Sequence, residues 1–414
     1  MFNISKGLAP PFSLIVPFFA VGAFFYLVSS LLLLSFETNI NHLDLKLVSW
    51  IHLFLLGYVM MIIFGAMAQL IPVVLEVEHF SIDFYYLIWP LLGVGTILMA
   101  FAFKYAPTTL SFGAILVMLA MIIFTTETML TLRKKRDASL TTKTIIATNS
   151  FLLLGILIGF FISLSFSNGI EIDISKWVYA HITLLLIGFI TLTVMGISLT
   201  LLPMFGLSHG FSKKPIDLSF KIITAAVLLF VVATLFNSTD FKFLAQLIIL
   251  IAIFLYLYQI WLIYQKCARR EFDIWFKSML FGYTSLALTI PLALIAFLSR
   301  SEQIVMSTFW FFIMGFFAFL INGHLYKIVP FLVWFERFSP LVGKEPVPML
   351  ADMVPKKGAE FQFWFSTIGT CLAGFGLLIE NDLVFKSGAS FIAIGAISLF
   401  LNILYMINFK KGKV

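Results

Sequence analysis

Two glycines and a proline recur three times in this chain at one fixed spacing. The copies are Gly57, Gly65 and Pro72; Gly188, Gly196 and Pro203; and Gly315, Gly323 and Pro330. Each reads G-x7-G-x6-P inside a long apolar stretch, and the starts lie 131 and 127 residues apart. Four apolar segments fall in each interval. The period therefore predicts three four-helix repeats, approximately 1–135, 136–265 and 266–414, within a single membrane domain.

The segments are long enough to span a bilayer. About 20 residues cross the ~30 Å hydrocarbon core as a helix, and twelve such runs are read: 11–34, 47–74, 83–103, 108–131, 144–167, 176–204, 218–237, 241–264, 275–298, 304–335, 361–381 and 385–409. With 61% hydrophobic and 11% charged residues, the chain lacks the polar surface of a soluble protein. Period-2 alternation is absent, which argues against a membrane barrel. The expected fold is an all-α polytopic membrane protein with the three repeats in a pseudo-three-fold arrangement.

Charge sets the orientation. Of the 27 Lys and Arg residues, 20 fall on one side, six on the other, and Lys327 inside a span. The richer side includes the run Arg133, Lys134, Lys135 and Arg136. Positive charge marks the cytoplasmic face, so both termini are expected there. The net charge of +7 reflects this asymmetry rather than a nucleic-acid footprint. No cleavable signal is expected, since the first segment has no small-residue cleavage site. Cys267 and Cys371 suggest neither a disulfide nor a thiolate metal site. The longest connection, 336–360, holds Pro340, Pro346, Pro348 and Pro355, which keep it from being one helix. Its interleaved apolar and charged residues fit an ordered connector on the cytoplasmic surface, with partner docking as the alternative.

The triplet has a physical use. Proline in a membrane helix removes a backbone hydrogen bond and bends the helix. Glycine lets a neighbouring helix, or a flat ligand, approach the backbone. The repeated glycines thus read as a packing device, as slots for a macrocycle, or as both.

Six histidines are present. His42, His79 and His209 fall in loops or at helix ends, where a solvated or interfacial role is expected. His52, His181 and His324 lie on the second, sixth and tenth segments, the ones carrying the triplet. Histidine within a span is expensive and functional by default, and neutral imidazole is the commonest metal ligand. His52 precedes its first glycine by five residues and His181 by seven, an offset that rotates one against the other by ~200° on an ideal helix. His324 follows the second glycine and lies ~20 Å deeper, and Trp310 replaces His52 in the third copy. Lys327 shares a face with His324; it either snorkels to the surface or meets a propionate, a quinone or a proton path. Glu127 is expected to pair with the nearby basic run. Gln69, Asn149, Asn322 and Asn402 are expected to bond across helices.

Twelve helices in three groups of four, with histidines on the second, sixth and tenth, resemble subunit I of the haem–copper oxidase superfamily, which includes oxygen and nitric-oxide reductases. The stretch His52-Leu-Phe-Leu-Leu-Gly57, with Gly65 and Leu-Ile-Pro72, is similar to the helix-2 pattern of that group. It is closer to NnrS-type membrane haem–copper proteins linked to nitric-oxide stress, and the opening Gly7-Leu-Ala-Pro-Pro-Phe12 resembles their start. The resemblance implies haem ligation by His52 and His324 and a copper-type role for His181. It also implies a bacterial-type cytoplasmic (inner) membrane and association with other respiratory or redox subunits. The chain departs from that pattern: the seventh segment has no histidine and the tenth has one. The expectation is therefore a protein that binds haem b, with copper as a second candidate, and that does not reduce dioxygen. It would serve electron transfer or nitric-oxide or metal-stress handling. The candidate site residues are His52, His181, His324, Gly57, Gly65, Gly188, Gly196, Gly323 and Lys327. A membrane transporter and a structural or assembly subunit of a respiratory complex are the alternatives.

Overall fold

In a computed structural model the described residues are 10–39, 44–135, 139–269 and 271–410. Twelve helices are long and apolar enough to cross a membrane. They are α1 Phe12–Ser35, α2 Leu45–Leu75, α3 Phe84–Tyr105, α4 Pro107–Leu132, α5 Leu140–Ser167, α6 Ile174–Gly206, α7 Lys214–Leu235, α8 Thr239–Gln265, α9 Ile274–Ser299, α10 Glu302–Arg337, α11 Lys356–Leu378 and α12 Asp382–Ile407. Among the described residues the β-structure is one isolated bridge, Ser208 to Cys267. Neither Cys267 nor Cys371 is in a disulfide, and the buried Cys267 thiol donates to the Gly206 carbonyl at 3.0 Å. His42 and the segment Gly7–Ala9 lie outside the described residues.

The three triplet helices start alike. Asp44 caps α2 by accepting from the Lys46 N–H at 2.7 Å. Asp173 caps α6 from the Lys176 N–H at 3.2 Å, and Ser301 caps α10 from the Ile304 N–H at 3.4 Å. Each cap satisfies a backbone donor that the helix itself leaves open. The same helices then share an irregularity. A π-helical stretch spans Leu55–Met60 in α2, Thr183–Thr191 in α6 and Phe311–Phe317 in α10. Each contains the first glycine of its triplet. Such stretches are rare, slip the helical register, and concentrate at functional sites.

The glycines form a seam with the preceding helix. An added Cβ at Gly57 would meet the Phe25 ring at 2.5 Å, and at Gly65 the Phe18 Cβ at 2.5 Å, both on α1. At Gly188 and Gly196 it would meet Phe151 at 2.9 Å and Thr144 at 2.6 Å on α5. At Gly315 and Gly323 it would meet Ser285 at 2.6 Å and Ser278 at 2.7 Å on α9. The partners are spaced seven apart in all three cases, two turns of each helix. Side chains of the preceding helix therefore take the space beside every triplet glycine, so a flat ligand reaching those backbones would have to displace them.

The described residues pack as two compact units, one within 67–269 with Pro10 and one within 11–66 and 271–410. In the first, Gly95 and Gly113 bring the α3 and α4 backbones together, since a Cβ on Gly95 would lie 3.0 Å from the Gly113 carbonyl. The Ser219 hydroxyl of α7 donates to the Ala252 carbonyl of α8 at 2.6 Å. In the second, Gly369 on α11 and Gly388 on α12 do the same as the first glycine pair, at 2.7 Å. The connection 336–360 is ordered there. Phe338 and Met353 are buried, the Trp334 indole donates to the Pro348 carbonyl at 2.9 Å, and Arg337 donates to the Phe409 carbonyl at 2.7 Å.

Candidate functional site

His52 and His181 stand at equal depth on their own helices, each seven residues beyond the first helical residue, Leu45 and Ile174. That places each about 10 Å in from the helix start. His52 precedes its π stretch by three residues and His181 by two. Measured from this irregularity the two differ by one residue, against two when measured from the glycines. Both are partly buried. The Nδ1 of His52 lies 2.8 Å from the Val48 carbonyl on its own helix. The Nδ1 of His181 lies 2.9 Å from the Gly155 carbonyl on α5. A carbonyl only accepts, so Nδ1 donates in both, and a neutral ring then carries its lone pair on Nε2. Metal-bound histidines are oriented by this kind of bond. Gly159 makes room for the His181 ring, whose Cε1 would be 2.5 Å from an added Cβ.

His324 is elsewhere. Its Nδ1 donates to the Leu320 carbonyl at 2.7 Å, and its ring meets Trp275 edge-on at 6.2 Å. Two contacts fix how α2 and α10 are aligned. The Trp50 and Trp310 indoles stack at 6.3 Å, and the Tyr58 hydroxyl donates to Asn322 Oδ1 at 2.6 Å. Both residue numbers rise together, so the helices run parallel. From either contact, His52 and His324 are offset by eight to twelve residues, about 12–18 Å along the axis at 1.5 Å per residue. An imidazole–metal bond is about 2 Å, so these two rings do not serve one iron.

Lys327 is committed to a carboxylate of the protein itself. Its Nζ lies 2.5 Å from Asp273 Oδ2 and 5.9 Å from the Trp275 ring centroid. The other oxygen of Asp273 caps α9 by accepting from the Phe276 N–H at 2.9 Å. Of the amides, Asn322 and Asn402 bond across helices, Asn402 donating to the Tyr326 hydroxyl at 3.0 Å. Asn149 instead donates to the Ile145 carbonyl of its own helix at 2.8 Å.

Two expectations are corrected. His79 is not solvated: its side chain is 3% exposed and pairs with Glu127 at 2.8 Å. Glu127 pairs with this ring rather than with the basic run. The available signal was that an acid inside a span needs a partner, and His79 is a histidine at the same end.

Among the described residues, no three His, Cys, Asp or Glu side chains are grouped so as to hold a metal ion. Each of the His52 and His181 rings offers one nitrogen donor, the chemistry of an axial position on a haem iron.

No family model matches the chain, and no curated protein matches it. The fold is similar to that of a solved heme-copper terminal oxidase dimer. The TM-score is 0.67 over 99% of this chain and 86% of that chain, at 13% identity. What the two share is the fold, an all-α architecture that in this chain has twelve helices long and apolar enough to cross a membrane.

Proposed function

We propose that this chain is a haem-binding integral membrane protein on the oxidase subunit I fold, without the three-histidine copper centre that dioxygen reduction uses. The observation that carries this reading is made on each helix by itself: His52 on α2 and His181 on α6 each lie seven residues in from the helix start, beside a π stretch, with Nδ1 tied to a backbone carbonyl. Haem b held by either ring would supply a one-electron couple, tuned by its ligands, burial and hydrogen bonds. The chain's own contribution is orientation. Val48 and Gly155 fix the ring tautomers, and Gly159 leaves the space that the His181 ring occupies. His324 and Lys327 belong to a separate polar group with Trp275 and Asp273, so neither is assigned to haem. The triplet glycines act through helix packing.

The role that follows is electron transfer or nitric-oxide or metal-stress handling, in a bacterial-type inner membrane with the basic loops cytoplasmic. The NnrS-like pattern around His52 supports the nitric-oxide branch, and another redox subunit would be the electron partner. The test is a pyridine haemochrome assay with iron and copper analysis on detergent-purified protein. Haem b with no stoichiometric copper is expected. Purified protein with neither haem nor iron refutes the reading.

A further inference from the structure

The buried pair His79 and Glu127 lies outside the haem argument. His79 is in the link between α2 and α3; Glu127 is one turn from the end of α4 and has no exposed side chain. His79 Nε2 is 2.7 Å from the Ala68 carbonyl. That carbonyl sits four residues before Pro72, which has no N–H to offer it. The proline of the first triplet thus leaves an acceptor, and His79 takes it.

The other side of the ring meets the carboxylate. Nδ1 is 2.8 Å from Glu127 Oε1. The Thr131 hydroxyl also donates to Oε1, at 2.7 Å. Thr131 itself accepts from the Phe80 N–H at 2.9 Å, which directs its proton to Glu127. The Tyr85 hydroxyl donates to Oε2 at 3.2 Å, and its ring packs edge-on against the imidazole at 5.2 Å.

These contacts fix the proton count. A carbonyl only accepts, so Nε2 carries hydrogen. Nδ1 and Oε1 at 2.8 Å share one more proton, since neither an imidazole lone pair nor a carboxylate oxygen can otherwise face the other at that distance. With Thr131 and Tyr85 also donating to Glu127, the carboxylate is the acceptor of three hydrogens.

We propose that His79 and Glu127 form a proton-binding site at the basic end of the first unit, with the imidazolium–carboxylate pair as its resting form. The proton crosses from nitrogen to oxygen without a heavy atom moving. The Nδ1–H bond breaks as the Oε1–H bond forms, and a pair of opposite charges becomes a pair of neutral groups, so the net buried charge is zero throughout. The charged and titratable groups facing the pair are Tyr85 from α3, Lys134 beyond α4 and Glu78 in the link. The Lys134 ammonium donates to the Glu78 and His79 carbonyls at 3.2 and 2.8 Å. Arg136 and Asp137 lie outside the described residues.

The test is the ring-nitrogen spectrum of full-length protein labelled with 15N-histidine in lipid nanodiscs, with His79 assigned by its disappearance in His79→Gln. Two protonated ring nitrogens on His79 are expected. In Glu127→Gln, Nδ1 should lose its proton while Nε2 keeps its own. A single protonated nitrogen on His79 in the unmodified protein at neutral pH overturns the proposal. That reading needs only the assignment variant His79→Gln to fold.

Discussion

Alanine at Gly57 tests the seam most sharply. In a plain helix this change stabilises by roughly 0.5–1 kcal/mol, because glycine is the more flexible residue. Here the new Cβ would sit 2.5, 2.6 and 2.9 Å from three Phe25 atoms, the last of them Cβ. Carbon atoms pack best at about 3.5–4.0 Å, so something must move by about 1 Å. Phe25 Cβ moves only with its helix. Overpacking of this kind costs about 1–3 kcal/mol, which outweighs the propensity gain and predicts net destabilisation. At Gly188 the nearest Phe151 atom is 2.9 Å away, so the cost there should be smaller. At Gly315 the obstruction is the short Ser285 side chain, so Ser285→Gly should restore most of the loss from Gly315→Ala. The assay is thermal unfolding of detergent-purified protein, read as a double-mutant cycle. Gly57→Ala as stable as the parent, or a Gly315–Ser285 pair whose effects simply add, would refute the packing argument.

Three further outcomes are expected. Gly159→Ala should push the His181 ring off the Gly155 carbonyl and lower haem content as His181→Ala does, measured by haem-to-protein ratio. Met353→Ala removes a fully buried anchor of the 336–360 connection, at about 2–5 kcal/mol by the usual core truncation cost, and should speed limited proteolysis there. Asp173 is held below its ordinary 3.8 by the Ser175 hydroxyl and then by the Lys176 N–H. Its capping contribution is present above that ordinary value and lost as pH falls through the lowered one. The stability gap between parent and Asp173→Ala should therefore persist at neutral pH and close in acid.

The architecture was legible because the seam between paired helices is written in small residues at fixed spacing, and lipid-spanning length is written in composition. The π stretches were not. An extra residue per turn leaves the apolar pattern of Leu55–Met60 or Phe311–Phe317 unchanged, since these segments are hydrophobic all round. The offset of His52 and His181 from their glycines was the trace they left. His79 was misplaced because chain position near a helix end suggested solvent, whereas the Ala68 carbonyl left over by Pro72 draws its ring inward. Lys327 was legible as a residue needing a partner, but Asp273 lies 54 positions away and no local pattern joins them. The separation of His52 from His324 was read from helix rise alone, and the Trp50–Trp310 and Tyr58–Asn322 contacts give it a fixed alignment.

Most directly, the central claim is tested by the visible spectrum of purified protein, oxidised and dithionite-reduced, for the parent and for His52→Ala, His181→Ala and His324→Ala. The account predicts b-type Soret and α bands that are lost or shifted in His52→Ala and His181→Ala and kept in His324→Ala. Bands that depend on His324 alone, or a featureless spectrum from protein holding no iron, would contradict it.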